Sequence, residues 1–133
     1  MAGRRLKYND GDTIVQQGGR ERRMYIILKG EVAITLSDDI KLVELAVLKK
    51  NDFFGEISLF NNTPRSASAV ARGKVEVTYL DDEEELDRFL LTNPGFSRKM
   101  VRVLAGRLAQ TDKVVREELS GCSRAAIVGF LWD

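Results

Sequence analysis

From Gly11 to Leu80 the chain is a succession of short β-rich runs separated by turn residues, and this alternation constrains the fold more than any other feature. Gly11-Asp12 is a turn pair ahead of Thr13-Ile14-Val15, and Gly18-Gly19 breaks the chain again. Met24 to Leu28 reads as an apolar strand, which Lys29-Gly30 turns into a second, Val32 to Leu36. Ser37-Asp38-Asp39 is a further turn before a long strand from about Ile40 to Leu48. Two more strands, Ser66 to Ala71 and Lys74 to Leu80, flank Gly73. Short strands with turn signals between them point to a sandwich or barrel. Gly11, Gly18 and Gly30 read as turn formers.

At Asp81 the pattern changes. Asp81 or Asp82 suits a helix cap, and Glu83, Glu84 and Glu85 are favourable near the positive end of the helix that follows. This acidic run reads as a solvated helix start rather than a metal site. Asn93-Pro94-Gly95 ends a helix over 83–92, and Pro94 suits the first turn of the next. Beyond Phe96, Val101, Leu104, Leu108, Thr111 and Val115 step by three and four residues, a heptad seam on a long helix. Three packings of that seam are open: on the β-structure, on a second protomer, or on both.

Composition excludes much of the usual enzyme chemistry. The 133 residues suffice for one core, at 44% hydrophobic and 31% charged. There is no histidine, which removes histidine acid–base catalysis, histidine zinc sites and histidine-ligated haem. The single cysteine, Cys122, neither forms an intrachain disulfide nor holds an iron–sulfur cluster alone, and it reads as an ordinary thiol. A net charge of +1 gives no global attraction to nucleic acid or anionic membrane. No apolar run approaches the roughly 18 residues of a membrane span, and MAGRRLKYND lacks a secretory apolar stretch. A cytoplasmic setting is the plain expectation.

The chemistry concentrates in FFGEISLFNNTPRSASAVA, residues 53–71. Gly55 and Glu56 open a short apolar turn, Ile57 to Phe60. A polar loop follows, then Pro64, Arg65 and the alternating run from Ser66. One compact segment thus holds a glycine, a carboxylate, a helix start and an arginine. Backbone N–H groups at a helix start attract an anion, and a guanidinium grips two phosphate oxygens. Glu56 would repel such an anion. It suits a ribose 2′-hydroxyl, which donates a hydrogen bond to a carboxylate.

The FGE followed by Pro-Arg-Ser closely resembles the phosphate-binding cassette of cyclic-nucleotide-binding domains, as in catabolite activators, cyclic-nucleotide-dependent kinases and cyclic-nucleotide-gated channels. The resemblance implies an α+β, mainly β fold. It would be an eight-stranded, jelly-roll-like β-roll over about residues 6–80, with a short cassette helix and C-terminal helices over about 83–131, all in one domain spanning 1–133. It implies that Glu56 and the Gly55 backbone hold the ribose 2′-hydroxyl and that Arg65 pairs with the cyclic phosphate. The backbone near Ile57, Ser58 and Ser66 would complete the cradle. The chain lacks the cysteine clusters of oxygen-sensing relatives and the histidine ligand of haem-sensing ones.

The stretch 105–115, AGRLAQTDKVV, resembles the part of catabolite activators that reaches the base. Thr111 matches their base-contacting threonine, and Asp112 stands at the next base-facing position. Its carboxylate pairs more naturally with the N–H edge of guanine than with adenine. Resemblance to catabolite activators puts cyclic AMP ahead, whereas Asp112 points to cyclic GMP. Alignment with the family makes Ile34, Leu45 and Leu48 candidates for the apolar pocket wall, though each also suits a core. Gly121-Cys122-Ser123-Arg124 has a short likeness to a winged-helix recognition element, but no scanning helix precedes it, so no DNA binding is expected.

The expectation is a regulatory module, not an enzyme, with cyclic AMP or cyclic GMP as ligand and no cofactor or metal. It would pair as a homodimer through the C-terminal helix and would be read by an effector domain or partner. The alternatives are a degenerate scaffold, in which Arg65 merely pairs with Glu56, and the sensor fragment of a larger transcription regulator. The arrival of Leu6-Lys7-Tyr8 so soon, where relatives carry a helical segment, suits either a fragment or a member without an effector. A metal-dependent barrel enzyme is disfavoured for want of histidine ligands.

Overall fold

The computed structural model describes residues 4–61 and 63–118, with 110–118 described by their backbone alone. Six strands and three helices follow in the order β1 (Arg5–Tyr8), β2 (Thr13–Val15), β3 (Met24–Ser37), β4 (Leu42–Leu48), β5 (Phe53–Phe54), α1 (Glu56–Asn61), β6 (Ser68–Leu80), α2 (Glu83–Thr92) and α3 (Pro94–Glu118). All pairings are antiparallel. The main path runs β1-β6-β3-β4, with β2 also on β6 and β5 on β3.

The architecture is the mainly β roll expected, but with six strands among the described residues where eight were implied. The reason lies at two glycines. Lys29-Gly30 does not turn the chain. It bends one continuous 14-residue strand, β3, whose register against β6 shifts on both sides of Lys29. Gly30 has φ +86°, and a Cβ there would lie 2.3 Å from the Lys74 carbonyl oxygen. Only glycine lets the two long strands approach so closely at the bend. Gly73, with φ +75°, lies likewise inside the 13-residue β6. Two expected strand pairs are therefore two long, bent strands.

Met24 to Ile27 is continuously apolar because this half of β3 is covered on both faces. Tyr25 and Ile27 face the interior of the roll, with Val32, Ile34, Leu48, Phe54, Ala69 and Val77. Met24 and Ile26 face the opposite way, into a second cluster with Phe53, Leu59, Leu80, Leu86 and Met100. A strand buried on both faces loses its alternation. That second cluster fastens the helices to the roll. Leu86 comes from α2 and Met100 from α3, and Phe96 meets Phe53 and Phe89 edge-on, with ring centroids 5.8 and 5.0 Å apart.

Helix α2 begins where the acidic run predicts. Asp82 is its N-cap, its carboxylate accepting from the Glu85 N–H at 2.8 Å. Along α3 the expected seam divides. Leu104 packs toward the second cluster, whereas Val101 and Leu108 stand 69% and 71% exposed. The side chains of Thr111, Asp112 and Val115 lie outside the described residues, as do Cys122 and the tail around it. No helix among the described residues is long and apolar enough to cross a membrane.

Candidate functional site

The segment from β5 to β6 wraps Gly55, Glu56 and Arg65 into one buried spot. Gly55 has φ +92°. A Cβ on it would lie 2.4 Å from the Arg23 carbonyl oxygen and 2.6 Å from Arg65 Nη1. Glycine is thus required twice, for the backbone turn into α1 and for the room the guanidinium fills.

Arg65 is a buried arginine with an incomplete set of partners. Its Nη2 donates to the Arg23 carbonyl at 2.7 Å, and its guanidinium lies 6.0 Å from the centre of the Tyr25 ring. The Glu21 carboxylate stands 3.6 Å from Nε, on a side chain 40% exposed, while the Arg65 side chain is 0% exposed. Nε and Nη1 have no hydrogen-bond partner among the described residues. A buried guanidinium with unused donors is suited to an anion, which would supply both the charge and the acceptors.

Glu56, at the start of α1, is buried as well. It does not pair with Arg65. Arg107, just past the middle of α3, donates from Nη1 to Glu56 Oε1 at 2.5 Å, and both side chains are nearly buried. Arg107 also donates to the Phe53 carbonyl at 3.3 Å and lies 4.9 Å over the Phe53 ring. Burial pulls the Arg107 pKa below its ordinary value, and the Glu56 carboxylate opposes that pull. Earlier on α3, Lys99 donates to the Asn51 carbonyl at 2.7 Å and sits 3.4 Å from Asp52. Two cations of α3 therefore hold the strand that leads into Gly55.

The remaining sequence candidates are placed as follows. Ser58 is buried, its hydroxyl 3.4 Å from the Thr63 carbonyl. Ile57 and Ser66 are half-buried. Ile34 and Leu48 belong to the interior cluster of the roll, and Leu45 packs against it. Thr111 and Asp112 are on α3, with side chains outside the described residues.

Arg107, Glu21 and Arg23 were not singled out in the sequence. Arg107 lies inside the 105–115 stretch already noted. The signal that points to it is the acid itself: a carboxylate folded into a core requires a cation. Among the described residues there is no group of three His, Cys, Asp or Glu side chains fit to hold a metal ion.

The chain is similar to proteins of one family. Residues 5–93 match the model of the cyclic nucleotide-binding domain. A CRP-like cAMP-activated global transcriptional regulator of Mycobacterium tuberculosis is 33% identical over 103 residues, covering 77% of this chain and 46% of the relative. A type II regulatory subunit of cAMP-dependent protein kinase from Drosophila melanogaster is 35% identical over 83 residues, covering 62% of this chain and 22% of the relative. Among solved structures, the Thermus thermophilus catabolite activator protein superposes with a TM-score of 0.72 at 30% identity, over 87% of this chain and 54% of that one. The chain spans about half or less of the length of these relatives. It belongs to the cyclic nucleotide-binding domain family.

Proposed function

We propose that the chain is a regulatory module that binds a cyclic purine nucleotide and passes the binding event to α3. The observation that carries this is the buried Arg65 with unused donors beside the glycine-opened turn of Glu56. In this reading Arg65 takes the cyclic phosphate. Glu56 takes the ribose 2′-hydroxyl, with the Gly55 backbone beside it. The backbone around Ile57, Ser58 and Ser66 lines the phosphate side, and Thr111 and Asp112 meet the base. Ile34, Leu45 and Leu48 support the apolar wall. Nothing in the reading calls for catalysis or a cofactor.

The route to α3 is Arg107. Glu56 is at once the ribose acceptor and the anchor of α3, so a bound sugar and Arg107 share one carboxylate. A ligand shifts α3 only by as much as it binds one position of α3 better than another. The relatives named above are a cAMP-activated regulator and a kinase regulatory subunit, and both support cyclic AMP as the first ligand to try.

Calorimetric titration with cyclic AMP, cyclic GMP and their 2′-deoxy analogues tests the proposal. Saturable binding of at least one ribonucleotide, with clear weakening for its 2′-deoxy form, is expected, because a site built around a hydroxyl rejects a ligand that lacks it. No heat with any of the four would leave a scaffold domain as the better reading.

A further inference from the structure

Arg65 is held by a residue outside the loop that carries it. Among the described residues its guanidinium donates one hydrogen bond, to the main-chain carbonyl of Arg23, 42 residues earlier. Arg23 comes immediately before β3, whose pairing with β6 starts at Met24 and Leu80. The Arg23 carbonyl shares a planar peptide with Met24, the terminal rung, so its direction is held only as well as that end of the ladder. The Arg23 side chain anchors that end. Its Nε donates to Asp81 at 2.9 Å, and its guanidinium lies 4.2 Å over the Tyr79 ring. Asp81 is itself gripped from the other side by Arg4 at 3.2 Å, and Arg4 also binds Glu85 in the first turn of α2.

We propose that Arg23 is the positioning residue of Arg65: its side chain, anchored to Asp81 across the Met24–Leu80 rung, holds the end of the ladder that presents the carbonyl to the buried guanidinium, and through Asp81 ties that guanidinium to the head of α2. This deepens the reading of Arg65 as the phosphate partner and rests on it. The geometry favours a positioning role over a merely structural one. The Arg23–Asp81 pair is 37% and 41% exposed, and a pair so open to water adds little to stability. The carbonyl at the other end of the same residue is the acceptor for a guanidinium that is wholly buried.

The test compares wild type with Arg23→Met, Arg23→Lys and Asp81→Asn, each also in an Arg65→Leu background. Arg23→Met keeps most of the side-chain bulk without the charge. It should weaken cyclic AMP or cyclic GMP binding roughly three- to tenfold, the scale of losing one exposed ion pair with a stacked cation. Arg23→Lys should recover part of that. In the Arg65→Leu background Arg23→Met should have no further effect, because residues acting through one another are not additive. Equal affinity of Arg23→Met and wild type, or a full additional loss in the double variant, overturns the proposal.

A ligand-free arm separates this from failure of the nucleotide reading. The Arg65 guanidinium N–H resonances, identified by their disappearance in Arg65→Leu, should move in Arg23→Met and in Asp81→Asn. Unmoved resonances overturn the positioning role whether or not nucleotide binds. Moved resonances with no nucleotide binding by wild type retain the positioning of Arg65 and discard the cyclic nucleotide as its ligand.

Discussion

Glu56 and Arg107 lie 51 residues apart in sequence and 2.5 Å apart in the structure, and their pair is the main polar tie between α3 and the loop that carries Gly55. It forms because β5 delivers Glu56 to the inner face of α3, where water is excluded and a lone carboxylate could not remain charged. Removing one partner of such a pair is far worse than removing both. Arg107→Met should destabilise the fold by about 3–5 kcal/mol, whereas Arg107→Met combined with Glu56→Gln should recover much of that loss. Urea denaturation of the three variants checks this. Equal stability of single and double variants would show that the pair is not isolated from water.

Arg65 predicts the opposite balance between stability and function. Its charge is buried against only one carboxylate, which is itself 40% exposed, and two of its nitrogens have no hydrogen-bond partner among the described residues. Replacing a poorly compensated buried charge by an apolar side chain is often neutral or stabilising. Arg65→Leu should therefore leave the ligand-free protein as stable as wild type or more so. It should also weaken cyclic-nucleotide binding by about 2–5 kcal/mol, the scale for truncating one side of a buried charged contact. Thermal unfolding and titration of the same sample test both halves, and a variant that unfolds readily would mean Arg65 is structural.

The residues that converge on Gly55 differ in how readable they were. Gly55, Glu56 and Arg65 lie within one short segment, so local spacing alone could bring them together, and the structure does. The start of α2 was equally legible, because Asp82 caps through a contact three residues away. Arg23 and Arg107 were not. Each reaches the site only through strand register or helix docking over 42 and 51 residues. The strand boundaries differ from the sequence reading for a related reason: Gly30 reads as a turn locally, and only the facing Lys74 carbonyl shows that it is a bend in a continuous strand.

Tyr25 gives the fold a sensitivity to alkali. Burial raises its pKa above the ordinary tyrosine value, and the neighbouring Arg23 and Arg65 only partly offset this. The folded state therefore holds the phenolic proton at pH values where the unfolded chain has lost it. By linkage, stability is intact below the unfolded pKa of about 10 and falls as pH rises above it. Tyr8 shifts in the same direction, again mainly by burial. Chemical denaturation from pH 8 to 11 should show that fall, and Tyr25→Phe should flatten part of it. An unchanged slope in Tyr25→Phe would place the titration elsewhere.

The last prediction concerns the outer face of α3. Val101 and Leu108 are seven residues apart on one face, both largely exposed, while Leu104 between them turns toward the second cluster. Apolar residues at this spacing on an uncovered face suit a second helix of the same kind. If two protomers pair there, Leu108 sits at the seam directly beside Arg107, which holds Glu56. Pairing and nucleotide binding would then be linked, each strengthening the other. Leu108→Glu sets like charges against each other in an apolar seam and should yield a monomer. That monomer should keep the Arg65 pocket, which is built on the roll, yet bind nucleotide more weakly, because α3 is no longer held in one position. Sedimentation and titration on one sample decide the matter. A Leu108→Glu protein that stays dimeric, or a monomer with wild-type affinity, would show that the exposed face of α3 has no part in the response.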